Sequence, residues 1–270
     1  MKHPVLVFAA LLSAAPFSMS SPASAATAER VSCAGASLRA VASRTHAKLT
    51  PCVATTHRFI LETTYYQNAS RVGGTALAAY PEARLRYGIA PRAELFVDAP
   101  SEIAKSGYRG AGIYTMTSTG FGAKYELARS HGAVYAVSAE SHPPLGALAN
   151  LNLVPLFDLH VSANWSPARG RSMGFQAGSV NYNNVRHTHL RSSALVAGWI
   201  TQETGPRTSF TLELATQSNV YSKSRAQSSG VFSISQLLSQ NLLFNIELGS
   251  AFNAQRNSKP HYLGAGFTVR

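Results

Sequence analysis

The sequence predicts an all-β chain: a transmembrane antiparallel β-barrel of about twelve strands behind a short N-terminal periplasmic leader. Three observations carry this. Apolar and polar residues alternate with a period of two from about residue 58 to the C-terminus, the mark of strands whose two faces meet different surroundings. The connections between these runs alternate between tight turns and longer polar or glycine-rich loops, as in outer-membrane barrels. Charged residues make up 13% of the 270-residue chain, about half the roughly 25% usual in soluble domains, and glycines fall on the polar faces. A secreted β-sandwich would show the same alternation with its apolar face turned inward, so periodicity alone leaves that alternative open.

Residues 1–25 have the form of a secretory signal. Lys2 and His3 precede the apolar stretch "VLVFAALLSAA", and small residues ending Ala23-Ser24-Ala25 follow it. Cleavage is expected after Ala25. The apolar stretch is too short for a membrane anchor, and no internal run reaches the ~20 apolar residues of a spanning helix. Residues 26–56 are rich in Ala, Ser and Thr, weakly patterned and basic, and read as a periplasmic leader. Cys33 and Cys52 are the two cysteines of the chain. Export to an oxidising compartment favours a Cys33–Cys52 disulfide, the alternative being two unpaired thiols in the leader.

The barrel is expected over 57–270, in twelve runs at 58–67, 80–88, 93–99, 118–127, 132–140, 154–165, 171–182, 190–201, 207–217, 228–236, 241–252 and 261–270. "IAPR", "ARSH", "SPARG", "QETGP" and "LLSQ" are the tight turns. The loops at 68–79, 99–117 and 141–153 are the long ones. Parity assigns the faces. Ala83, Leu85, Tyr87, Leu95 and Val97 share one side, and Glu82, Arg84, Arg86, Glu94 and Asp98 the other. Phe121, Ala123, Tyr125 and Leu127 oppose Gly120, Gly122, Lys124 and Glu126. Phe157, Leu159, Val161, Ala163 and Trp165 oppose Asp158, His160, Ser162 and Asn164. Phe210, Leu212 and Leu214 oppose Ser209, Thr211, Glu213 and Gln217, and Leu242, Phe244, Ile246 and Leu248 oppose Asn245, Glu247 and Gly249. In a barrel the apolar sets face lipid. The lumen-lining candidates are then Glu82, Arg84, Arg86, Glu94, Asp98, Lys124, Glu126, Asp158, His160, Glu213 and Glu247, with opposite charges on neighbouring strands able to pair across the hairpin.

Two stretches resemble a known family. "PEARLRYGIAPRAELFVDAP" at 81–100 and "GFGAKYELA" at 120–128 are similar to the outer-membrane transporters of the phenol-degradation MetA-pathway type. The matching residues are Pro81, Arg86, Tyr87, Gly88, Arg92, Glu94, Gly122 and Lys124. Beyond them the resemblance continues as pattern over roughly 57–270. It implies a barrel of about twelve strands in the outer membrane, and passage of small, often hydrophobic or aromatic, compounds. One departure is the C-terminus "GAGFTVR": such barrels commonly finish on an aromatic residue, whereas Phe267 lies three places before Arg270.

Other chemistry is poorly supported. Asp158, His160, Ser162 and Asn164 share a strand face, and a His-x-Ser pair resembles the outer-membrane phospholipase family. Same-face neighbours on a strand stand about 7 Å apart, however, beyond the ~3 Å reach of a nucleophile and its base, and that family's catalytic groups face lipid. No enzyme, cofactor or metal site is expected. His187 and His189 read as a solvated turn, the alternative being an adventitious metal contact, and Trp165 and Trp199 as interfacial anchors near strand ends, the alternative being ordinary core packing. The net charge of +12, one less once Lys2 leaves with the signal, lacks the clustered Lys/Arg and interleaved aromatics of a nucleic-acid surface. The expected partners are outer-membrane lipid and a small solute of undetermined identity. The expected location is the outer membrane of a Gram-negative-type bacterium. Two functions fit the pattern: a passive channel or transporter-like barrel, or a structural or surface-interaction barrel with a plugged lumen.

Overall fold

The computed structural model describes residues 38–42, 50–69, 76–99, 102–106, 113–116, 119–130, 132–143, 154–184, 187–218, 226–252 and 261–270; at 66–69, 76–82, 102–106, 113–116, 154–156, 182–184, 187–191 and 262 the description is of backbone alone. One short helix, α1 (Leu38–Val41), precedes fourteen strands. These are β1 (Phe59–Ala69), β2 (Ala76–Ala90), β3 (Ala93–Ala99), β4 (Glu102–Ser106), β5 (Ile113–Met116), β6 (Gly120–Ser130), β7 (Ala133–Ser141), β8 (Val154–Ala168), β9 (Arg171–Asn184), β10 (His187–Glu203), β11 (Thr208–Gln217), β12 (Gln227–Ser239), β13 (Leu242–Ala251) and β14 (His261–Val269).

Fourteen strands fill twelve positions in the wall. The near end of β2 pairs with β3 and its far end with β4; β3 pairs in turn with β6, and β4 with β5. β3 with β4, and β5 with β6, are therefore two wall strands, each interrupted once. Every other neighbour is a hairpin partner, all ladders are antiparallel, and β1 pairs with both β14 and β2, which closes the barrel at twelve strands. Closure leaves no sheet edge to meet hydrocarbon, the condition for spanning a bilayer with strands. No described helix is long and apolar enough to cross a membrane.

The strands begin and end where turn chemistry dictates. Gly132 and Gly170, in the tight connections β6–β7 and β8–β9, have φ of 77° and 73°, a left-handed conformation that glycine adopts without the strain a Cβ brings. The segment 99–117, read from sequence as one long loop, instead contains β4 and β5. β2 pairs with β3 as far as Ala83 and Ala99 and with β4 from Tyr80 and Glu102 onward, so the long strand β2 carries the pairing into this segment. His187 and His189 likewise belong to strand β10 rather than to a solvated turn, because the β9–β10 hairpin keeps pairing as far as His187 and Asn184.

The two faces separate as parity requires. Leu85, Leu95, Phe121, Tyr125, Leu159, Leu212, Leu248 and Phe267 are exposed on the outside, while Arg86, Glu94, Lys124, Glu126, Glu213 and Glu247 are buried within. This is the reverse of a soluble sandwich, whose exposed face is polar. Trp165 packs edge-on against the outward Phe175, with ring centroids 6.5 Å apart. Trp199 differs from the expected interfacial anchor: it is 3% exposed and sits on the inner face. There it lies over Gly174, its direct register partner, and donates to Asn164 Oδ1 at 3.3 Å.

Candidate functional site

Two ionic clusters occupy the inner wall, and the strand register sets both. Arg84 on β2 stands opposite Asp98 on β3, so its guanidinium meets that carboxylate with two parallel bonds, Nε to Oδ1 at 2.7 Å and Nη2 to Oδ2 at 2.5 Å. Nη2 also donates to Glu140 Oε2 at 2.8 Å, and the fork lies 4.3 Å from the centroid of Phe96. Glu140 on β7 is the register partner of Asp158 on β8. His142 Nε2 stands 3.3 Å from Asp158 Oδ2 and 3.4 Å from Glu140 Oε1, which links these carboxylates. Phe96 fits because its register partner on β6 is Gly122, where any Cβ would strike the ring. His160 uses the same device, resting against Gly178, and its Nδ1 has no hydrogen-bond partner.

The second cluster lies closer to the turns and is fully enclosed. Arg86, 1% exposed, donates Nε to Glu94 Oε1 at 3.0 Å and Nη2 to Glu94 Oε2 at 2.9 Å. Its Nη1 donates to Glu62 Oε1 at 2.9 Å, and Lys124 Nζ stands 2.8 Å from Glu94 Oε1. Two arginine or lysine charges thus meet two carboxylates, the pairing a dry site requires, because an unpaired charge there would be prohibitively desolvated.

Leader residues complete this cluster from inside the barrel. Arg86 Nη1 donates to Val41 O at 2.7 Å, and Nη2 to Cys52 O at 2.9 Å. Lys124 Nζ reaches Cys52 O at 3.4 Å, while the Ala54 N–H donates to Glu94 Oε2 at 2.5 Å. Val41, Cys52 and Ala54 pack with the inward-facing Ile60 and Val134 into a small buried apolar group. Arg39 of α1 reaches the β10–β11 turn, donating to Gly205 O at 3.3 Å and Thr208 O at 3.2 Å, with Glu203 Oε1 at 3.3 Å. Thr56 bridges Gly88 in parallel, and the His57 N–H donates to Gly88 O at 2.7 Å. A Cβ on Gly88 would lie 2.5 Å from Ala54 O, so glycine is what lets the leader backbone lie against the wall. The chain then turns into β1 through His57, whose φ is 58°. Cys52 is disulfide-bonded; Cys33 lies outside the described residues.

The remaining sequence candidates are distributed around the wall. Glu126 on β6 is paired with Arg129 through both carboxylate oxygens. Glu247 accepts from Asn245 Nδ2 at 2.9 Å, and Glu213 is 1% exposed opposite Trp199. Glu82 has a described backbone only. Residues 1–25, the expected signal, lie outside the described residues. The sequence reading passed over Glu62, Glu140 and His142. Glu62 is the acid at an even position in the apolar run "FILETTYY", and its parity with Ile60 and Thr64 is the signal that marks it inward. Among the described residues no group of three or more His, Cys, Asp or Glu side chains is placed to hold a metal.

A closed twelve-stranded antiparallel barrel, apolar outside and ionic within, defines the class: the fold is that of outer-membrane β-barrels. No protein-family model and no curated protein matches the chain. Solved structures do. An outer membrane channel from Pseudomonas putida F1 is similar over 80% of this chain and 96% of its own, with a TM-score of 0.60 and 12% identity. The NanC porin is similar over 78% and 99%, with a TM-score of 0.53 and 10% identity. The CymD monoaromatic hydrocarbon channel is similar over 80% and 89%, with a TM-score of 0.51 and 10% identity. At these identities the likeness is one of fold.

Proposed function

We propose that this protein is a passive outer-membrane channel for small solutes, exported by the signal at 1–25 and held in the bilayer by its strands. The observation that carries the reading is the closed wall itself: twelve positions and, among the described side chains, a largely apolar exterior and a polar, ion-paired interior. Twelve strands enclose a lumen between the filled eight-stranded barrel and the open sixteen-stranded pore. The fold shared with outer-membrane channels supports it, and the resemblance of residues 81–100 and 120–128 to the MetA-pathway type favours hydrophobic or aromatic solutes. Arg84, Asp98, Glu140 and Asp158 would then line the solute path, with no catalytic step. We assign the partner of Cys52 to Cys33, which would tie the leader into a loop.

A second reading, a structural barrel with a filled lumen, draws on a specific observation: Val41 and Cys52 occupy donors of Arg86 inside the barrel. Single-channel conductance in a planar bilayer separates the two, measured on the mature protein and again without residues 26–56. Discrete current steps that grow when the leader is removed support the channel. Silence in both forms supports the filled barrel.

A further inference from the structure

A guanidinium has five N–H donors in a fixed planar fork, and in Arg86 all five are engaged. Three go to wall carboxylates: Nε and one Nη2 hydrogen to Glu94, and one Nη1 hydrogen to Glu62. The other Nη1 and Nη2 hydrogens go to the backbone carbonyls of Val41 and Cys52, and Lys124 adds a longer contact to Cys52 O. Both partners in these three contacts belong to the wall. Arg86 and Lys124 balance Glu62 and Glu94, so the wall cluster needs no further counter-ion. What the leader contributes is neutral acceptor oxygens, two backbone carbonyls, for two of these donors.

We propose that the Arg86–Lys124 fork is a binding site for the carbonyl or hydroxyl oxygen of a neutral solute, and that the carbonyls of Val41 and Cys52 fill it as a built-in competitor. This deepens the channel reading and rests on it. The occupant in the structure is itself a neutral amide. A carboxylate in its place would face Glu62 and Glu94 across the same guanidinium, so repulsion offsets its attraction to Arg86. A cation in that place would stand against the charges of Arg86 and Lys124, and a hydrocarbon offers their donors no acceptor. Solute entry and leader retention are then two outcomes of one competition for the same hydrogens.

The test uses the full mature chain in detergent, with amide hydrogen exchange read by mass for peptides spanning 50–58. There the Ala54 and His57 N–H groups are bonded to Glu94 and Gly88. The probe is N-methylacetamide, a free peptide group; acetate and benzene are its anionic and hydrocarbon comparators, and peptides from β11 are the internal standard. N-methylacetamide is expected to accelerate exchange at 50–58 to a plateau while β11 is unchanged, and neither comparator should do so. Arg39→Gln loosens the leader away from the fork, so it should lower the half-saturating concentration roughly tenfold, the size of a charge-assisted bond. Acceleration by acetate or benzene to the same degree, or none before β11 also exchanges faster, overturns the site. An unchanged half-saturation in Arg39→Gln overturns the competition. Conductance measured in parallel keeps the two readings apart. The exchange response without current removes the channel and leaves the oxygen site; current without the exchange response does the reverse.

Discussion

At the scale of single residues, what separates one side chain from another is which side of the wall it faces and how many partners it has there. Arg86 is enclosed with Glu62 and Glu94 in a region with no exposed side chain among them. Replacing Arg86 by Gln takes from Glu62 and Glu94 the guanidinium they share and leaves Lys124 on Glu94, and breaking a buried pair in this way costs about 3–5 kcal/mol. Arg39 faces a Glu203 side chain that is 40% exposed and donates to two turn carbonyls, so Arg39→Gln is expected to cost about 1–2 kcal/mol. Urea midpoints followed by tryptophan emission should rank the two variants in that order; equal midpoints would show that the Arg86 cluster is not the anchor described here. A second comparison concerns adjacent residues of β2. Leu85 is exposed on the outer face, and an Arg there at mid-depth costs about 2–4 kcal/mol. Leu85→Arg should reduce the heat-modifiable folded band on detergent gels, whereas Arg84→Gln should retain it because Asp98 and Glu140 face the lumen side. Greater damage from Arg84→Gln would invert the assigned faces.

Elements are set by turns and by the fit between inward side chains of neighbouring strands. Gly132 and Gly170 hold their hairpins at positive φ, where an L-residue pays about 1–2 kcal/mol. Gly205, in the β10–β11 turn, has no atom within 4 Å of an added Cβ and no positive φ. Gly132→Val and Gly170→Val should therefore lower refolding yield into detergent, while Gly205→Val should not. If all three refold alike, turn conformation does not limit hairpin closure. Large inward rings are accommodated by the same economy of space. Phe96, Trp199 and His160 each lie against a glycine directly opposite in register, Gly122, Gly174 and Gly178. A narrow barrel can carry an aromatic ring inward only where the neighbouring strand gives up its side chain.

For the whole molecule, the proposed channel raises the question of which charges a permeant ion would meet first. The chain is strongly basic, yet the inner wall carries Glu62, Glu94, Asp98, Glu126, Glu140, Asp158, Glu213 and Glu247 beside Arg84, Arg86 and Lys124. Much of the positive excess therefore belongs to the leader, turns and loops. Arg71, Arg109, Arg186, Lys223, Arg225, Arg256 and Lys259 lie outside the described residues, and Lys105 and Arg191 are described in backbone alone. Basic groups at a pore mouth raise the local anion concentration, an effect that weakens as salt shortens the ~10 Å screening length at 0.1 M. If the proposed channel conducts, reversal potentials across a salt gradient are expected to show mild anion preference at low ionic strength that fades at high salt. Cation preference at low salt would give control to the carboxylates of the lumen.

The sequence by itself determined the barrel, its approximate strand number and the facing of its strands, because alternation, turn chemistry and loop length are all local along the chain. Arg84, Arg86, Glu94 and Lys124 could be assigned to one side by counting in twos. Trp199 could not be assigned by its type, since an indole suits both an interface and a cavity; only the glycine opposite it on β9 decided the matter. Glu140 and His142 stayed hidden at a strand end because their partners, Arg84 and Asp158, are brought beside them by register rather than by spacing. The same holds most strongly for the leader. Nothing in its weak Ala/Ser/Thr pattern says where it goes, since its carbonyls are common to every residue. Its place at Arg86 is fixed by a fork of donors on β2, by glycine at position 88 and by the closure of β1 onto β2 and β14, which exist only once the barrel is formed.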